Sequence, residues 1–244
     1  MRTRYRTTLI GALVIWIVRS QVGYAQENMV ISTGIKTNPI VLLTEPVIRE
    51  AYRHMGIAVE ISYFPWERSI RNANHGITSG ELFRSTVDPE AYPNLVKVGV
   101  PIWYVEFVAF TKDTKIRISG WDSLKPYRIA FVLGVKTIEE NTRGMIVEGV
   151  GTHEQAFMML NTKRSDIVVD SRIAGLKYLN ELSLADIRII EPPVERIPVY
   201  HYLHLSHVNL LPELEKTLKE MEKDGVKAKI QGQVIKNILG SGKK

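Results

Sequence analysis

Lys163-Arg164-Ser165-Asp166-Ile167-Val168-Val169-Asp170 is the stretch whose reading decides the fold class of this chain. It reads as the end of a helix, a short turn, a buried strand, and an acidic residue at the strand's C-terminal tip. In open α/β sheets that tip borders the crevice where ligands bind. Asp170 therefore marks one side of a candidate crevice, and Asp166 reads as a turn residue on the approach to the strand.

Working outward, the chain shows two α/β units. In the first, Met29-Val30-Ile31-Ser32-Thr33-Gly34 reads as a strand running into a loop, 35–39. A helix is expected from Thr44-Glu45-Pro46, because proline is preset for a first turn. Val47, Ile48, Ala51, Tyr52 and Met55 recur at helical spacing up to Gly56. Residues 57–63 alternate as a strand, and a helix from Trp66 to His75 closes at Gly76. Gly80-Glu81-Leu82-Phe83-Arg84 reads as a buried strand with Arg84 at its tip. Strand and helix in alternation imply parallel pairing through crossovers.

The second unit follows a β-rich segment, 103–110. It holds a strand at 127–134, a helix from Thr137, and a helix opened by the capping box Thr152-His153-Glu154-Gln155. The quoted strand, a helix at 176–182 and a strand at 187–190 come next. Glu191-Pro192-Pro193-Val194-Glu195 is expected to break regular structure. A strand at 199–205 and two amphipathic helices, 212–224 and 227–239, complete the chain. Such a return after the second unit points to two lobes joined by two crossing strands.

The amino terminus has the pattern of an export signal. Arg2, Arg4 and Arg6 precede the apolar run Leu9 to Val18, which is too short to span a bilayer, and Gly23-Tyr24-Ala25 supplies small residues for cleavage. Removal of residues 1–25 from the 244 leaves 219, and the formal charge falls from +6 to about +2. No basic stripe remains of the kind nucleic acid requires. The chain has no cysteine, which closes the routes to a disulfide framework and to a lipid anchor on cysteine. The bacterial periplasm is the expected compartment.

Taken together, Pro65-Trp66-Glu67-Arg68-Ser69-Ile70 leading to Gly76 and Gly80-Glu81, the 163–170 strand, and Leu214-Glu215-Lys216-Thr217-Leu218 with Met221 and Asp224-Gly225 resemble a known family. It is family 3 of the extracellular solute-binding proteins, the amino-acid-type periplasmic binding proteins of ABC transporters, and the match runs from about Val30 to Ile238. The resemblance implies an α/β, two-lobed periplasmic-binding-protein type II fold, hinged and closing on a small polar solute. Residues 26–109 and 196–244 would form the first lobe and 110–195 the second. It also implies no enzymatic activity, no cofactor, a monomer, and a membrane permease or sensor as partner. In amino-acid binders an arginine of the first lobe holds the ligand carboxylate and an acid after the second-lobe strand holds the ammonium. Asp170 resembles that acid. The turn where the family carries its arginine reads Val87-Asp88-Pro89-Glu90 here, so Arg84, several residues earlier, is the nearest candidate, and the ligand is expected to be anionic or zwitterionic.

Each candidate has a plainer alternative. Arg84 offers a planar fork for carboxylate or phosphate, or else pairs on the surface with Asp88 or Glu90. Asp170 contacts ligand or caps the helix that follows it. Trp66, Trp103 and Tyr104 form an apolar wall to the ligand or belong to the core. Arg68 faces the interlobe side of its helix and assists an anion, or is simply solvated. Gly134 and Lys136 occupy a strand-to-helix turn whose backbone N–H groups suit an anion, as do those of Lys36-Thr37-Asn38. His201 and His204 would point to opposite faces of a strand, so they read as packing residues rather than metal ligands. A dehydratase-type enzyme on the same scaffold would need a general acid, for which Glu81 and Glu106 are the candidates.

Overall fold

The computed structural model describes residues 29–240. Residues 1–25, read from the sequence as an export signal, lie outside them. One continuous nine-stranded sheet runs through the molecule in the order β2-β1-β3-β9-β5-β8-β6-β7, with the short β4 also on β9. Its first part holds β1 (Met29–Thr33), β2 (Val59–Tyr63) and β3 (Gly80–Arg84), all parallel, and β4 (Leu95–Lys97). Its second part holds β6 (Ile129–Val132), β7 (Val147–Val150) and β8 (Ile167–Ser171), also parallel. Two long antiparallel strands, β5 (Trp103–Thr111) and β9 (Arg188–His204), pass from one part to the other.

The apolar residues sort themselves by part. Met29, Ile31, Leu82, Val98 and Val199 pack with α1 (Pro39–His54) and α6 (Leu211–Lys223) in one core. Phe107, Ala109, Ile129, Ile167 and Val169 fill a second core on one face of the β8 half-sheet. Val108, Phe110, Val168 and Phe157 fill a third on its other face, beneath α4 (His153–Asn161) and α5 (Arg172–Glu181). Val105 packs against both the first and second cores, so on β5 the two bodies meet there. The fold is thus α/β, with two lobes joined by two strands.

Several elements differ from the sequence expectation: α5, expected over 176–182, begins at Arg172, and three others depart further. Helix α1 begins at Pro39, not near Pro46, because the Asn38 side chain accepts hydrogen bonds from the N–H groups of Ile40 and Val41. Pro46 then sits inside the helix, where it leaves the Leu42 carbonyl without its helical donor. Such a proline costs about 3 kcal/mol. Burying one Val, Leu or Ile returns roughly 1.5–3 kcal/mol, and α1 buries Val41, Leu43, Val47 and Ile48 among others, so the helix continues. Second, Glu191-Pro192-Pro193 does not end a strand. It forms an irregularity within the 17-residue β9, whose pairing with β5 jumps from Ala109–Ile190 to Phe107–Glu195; the prolines sit where no ladder bond is asked of them. Third, the edge strand β7 was not anticipated. Its residues are largely exposed, so no buried alternation announces it.

The capping box is present: Thr152 accepts from Gln155 N–H, and the Gln155 amide oxygen accepts from the Thr152 N–H. The second C-terminal helix is α7 (Val226–Gly240). It packs on α1 and also reaches the second lobe, where the Asn180 amide donates to the Leu239 carbonyl at 2.6 Å.

Candidate functional site

A cavity of about 580 Å³ lies between the lobes. Its walls include Asn38, Trp66, Phe83 and Arg84 from the first lobe and Phe107, Gly134, Val135 and Lys136 from the second. Five of the residues singled out from sequence, Asn38, Trp66, Arg84, Gly134 and Lys136, are therefore brought together. Among the rest, Trp103 and Tyr104 line a second cavity of about 380 Å³, beside Glu106, Arg172, Arg196 and α7. Arg68 is exposed on α2 (Trp66–Asn74), and neither it nor Asp170 lines either cavity.

Arg84 is held by a buried polar cluster rather than by surface acids. Its Nη2 lies 2.8 Å from Glu81 Oε1 and donates to the Trp66 carbonyl at 2.7 Å. The expected alternative partners, Asp88 and Glu90, are not the ones it uses. Residues three apart on a regular strand face opposite sides. Here the pairing of β3 with β9 slips between Glu81 and Arg84, and this bulge turns both side chains to one side. The guanidinium carbon stands 5.2 Å from the centre of the Trp66 ring, a cation–π distance. Its Nε is buried with no hydrogen-bond partner.

Glu81 is completely buried. Its Oε2 accepts from the Ser69 hydroxyl and lies 3.1 Å from Ser32 Oγ, which in turn accepts from Thr78 at 2.9 Å. Desolvation pushes its carboxyl above the usual range, and the Arg84 guanidinium opposes that push. Glu81 is thus the anchor of Arg84, a role the sequence reading missed. The signal available was an acid inside the apolar strand Gly80-Glu81-Leu82-Phe83, since a carboxylate is rarely buried unless paired.

Trp66 owes its position to Gly34. A Cβ on Gly34 would stand 2.4 Å from the indole ring, so only glycine lets the ring lie against the β1 loop. Trp66 also meets Phe83 edge-on, with centroids 5.6 Å apart. On the opposite wall, Gly134 takes a left-handed conformation, φ 92°. Its N–H is already used by the Glu139 carboxylate at 2.7 Å. The Gly134 N–H, one of the donors of the turn expected to present a backbone anion site, is therefore occupied by the chain itself, while Val135, Lys136 and Thr137 of the same turn line the cavity.

Asp170 faces away from this cavity. Strand alternation places Phe107, Ala109, Ile167 and Val169 on one face of the half-sheet, while Asp170, paired with Val108, points to the other. There one carboxylate oxygen accepts from the Ser171 N–H and the other lies 3.3 Å from His153 Nε2. The His153 ring stacks on Tyr178 at 4.4 Å and 8°. Residue 170 is not the helix N-cap either; Ser171 is. Asp166 does lie at the turn, where Arg128 binds it through its backbone N–H and guanidinium and holds its carboxyl below the usual range.

The remaining candidates are engaged elsewhere. His201 is buried between α1 and β3, with Nδ1 2.8 Å from the Glu81 carbonyl and Nε2 3.1 Å from the Tyr52 hydroxyl. A carbonyl only accepts, so the proton sits on Nδ1 and Tyr52 donates to Nε2. Glu106 is tied to Arg172 and, at 3.7 Å, to Arg196.

No family model matches the chain. A protein of Shewanella oneidensis described as uncharacterized is 25% identical over 190 residues, covering 75% of this chain and 72% of that one. Among solved structures, the ligand-binding core of GluR0 in complex with L-glutamate superposes with a TM-score of 0.68 at 14% identity, covering 86% of this chain and 99% of that one. The unliganded, open L-cystine solute receptor of Neisseria gonorrhoeae gives 0.67 at 17%, covering 85% and 92%. A histidine kinase sensor domain similar to periplasmic binding proteins gives 0.64 at 15%, covering 85% and 96%. These likenesses establish the periplasmic-binding-protein type II fold.

Proposed function

We propose that this chain is a solute-binding protein that captures a small polar solute, anionic or zwitterionic, between its two lobes, in the periplasm, for an ABC-type permease. One observation carries the reading: the interlobe cavity has Arg84 on one wall and Lys136 on the other, so a single anion would contact both bodies. A ligand that needs both halves favours the closed arrangement over the open one. Residues 26–109 with 196–244, and 110–195, are the proposed lobes, with the boundary on β5 drawn back to between Val105 and Phe107, because the side chains from Phe107 onward pack in the cores of the second body. The absence of enzymatic activity belongs to the proposal. It is supported by the burial of Glu81 beneath Arg84 and the pairing of Glu106 with Arg172, which leave neither carboxyl placed as a general acid. A sensory role has one specific support, the likeness to a histidine kinase sensor domain. A thermal-shift screen of carboxylates, amino acids and phosphorylated metabolites tests the binding function: a hit should raise Tm in a saturable way, and Lys136→Ala should reduce that rise. A hit unaffected by changes on both walls would place binding elsewhere.

A further inference from the structure

The chemistry of the interlobe cavity narrows the ligand class, on the reading that this cavity is the binding site. A zwitterion is held best where a shielded acid faces its ammonium, because an ammonium taken from water without a partner costs several kcal/mol. The acid that could have served, Asp170, is on the far face of the sheet with His153. Glu81 lies behind Arg84 and is spent on it and on two serines. Glu139 is turned back onto Gly134 N–H. Glu67 lines the rim, but its side chain is 61% exposed and is bound by Arg71 and Tyr92, and such a solvated carboxylate contributes little to holding a cation. Against these stand two cations, Arg84 with its side chain 21% exposed and the exposed Lys136, and an apolar lining that includes Ile40, Phe83, Val105, Phe107 and Ile197.

We infer that the ligand is an organic anion with an apolar body and no ammonium group, a carboxylate of alkyl or aryl type rather than an amino acid. Its carboxylate would meet Arg84 and Lys136, and its body would lie along Trp66, Phe83 and Phe107. A fork held by Glu81 and the Trp66 carbonyl is already oriented, so little freedom is lost when the anion arrives.

Matched pairs that differ only in the amino group test this. Titration calorimetry of the purified protein would compare 3-phenylpropionate with L-phenylalanine and 4-methylpentanoate with L-leucine. The amine-free acid of at least one pair should bind at least tenfold more tightly than its amino acid. Asp170→Asn should leave that preference within about threefold, because residue 170 does not reach the cavity. Tighter binding of the amino acids, or a preference for amines that Asp170→Asn or Glu67→Gln removes, would overturn the inference while leaving the solute-binding reading intact. Failure of all four compounds to bind, with hits in the thermal-shift screen confined to other chemistry, overturns the inference alone. Absence of any hit counts against both.

Discussion

Arg84 and Glu81 form one unit: a guanidinium on the cavity wall and a fully buried carboxyl behind it. Removing one partner of such a pair leaves the other buried and uncompensated, which costs roughly 3–5 kcal/mol. Arg84→Ala should therefore abolish ligand-induced stabilisation and also lower the apo Tm by several degrees. The double change Glu81→Leu with Arg84→Met should recover most of the lost Tm yet remain unable to bind. If the double variant is no more stable than Arg84→Ala, stranding of Glu81 is not the cause. His201 makes a second prediction at this scale. Burial lowers its pKa from 6.5 to about 4, so the folded state keeps it neutral. Stability from this group is complete above pH 6.5 and is lost as pH falls toward 4, because only the unfolded chain takes up the proton. The slope is about 1.4 kcal/mol per pH unit, amounting to roughly 3 kcal/mol over that window. His201→Asn should be less stable at pH 7 but flatter between pH 6.5 and 4, as read by Tm; an unchanged slope would assign the acid sensitivity to other groups. These residues were legible in kind, as an arginine, a glutamate and a histidine on strands. Their partners were not, because a bulge on β3 and a contact across 120 residues bring them together.

At the scale of elements, local chemistry was legible in places where a bond closes within a few residues, although the equally local Asn38 cap of α1 was not. The capping box of α4 was legible, and Thr152→Ala should cost about 1 kcal/mol, a fall in Tm on the order of 2–4 °C. Thr152→Ser should restore most of it, and equal losses for both variants would remove the hydroxyl's role. Elements whose limits depend on burial were misread. The start of α1 was placed at Pro46 because proline favours a first turn, yet the apolar face that α1 presents to the first core extends back to Val41. The break expected at Pro192-Pro193 became a bulge, because pairing with β5 on either side of it holds β9 in one line.

For the whole molecule, the architecture of two α/β bodies linked by β5 and β9 makes lobe closure the expected response to ligand. Small-angle scattering should show a smaller radius of gyration with a saturating ligand, and an unchanged value would mean that the lobes are already locked or that binding does not bridge them. Helix α7 complicates the motion, since it packs on α1 and is bonded to Asn180 of the second lobe through Leu239. Asn180→Ala removes a tie between the lobes, and its ligand affinity should shift while its Tm changes by little. Affinity identical to wild type would show that this bond does not distinguish open from closed.

Periodicity, turn residues and the order of strands and helices were enough to determine the α/β class, the two-lobed plan and most of the elements, because these depend on which residues are apolar and how far apart they recur. The composition of the site was decided by tertiary structure. Asp170 stands at the tip of a strand, as its sequence position requires, but the pairing of β8 with β5 sends its side chain to the far face. Trp103 and Tyr104 were assigned to a second cavity, and Glu81 was joined to Arg84, by a hinge strand and a bulge. Which side of a sheet a residue faces, and what lies there, depends on contacts between segments far apart in the chain, and no local pattern encodes them.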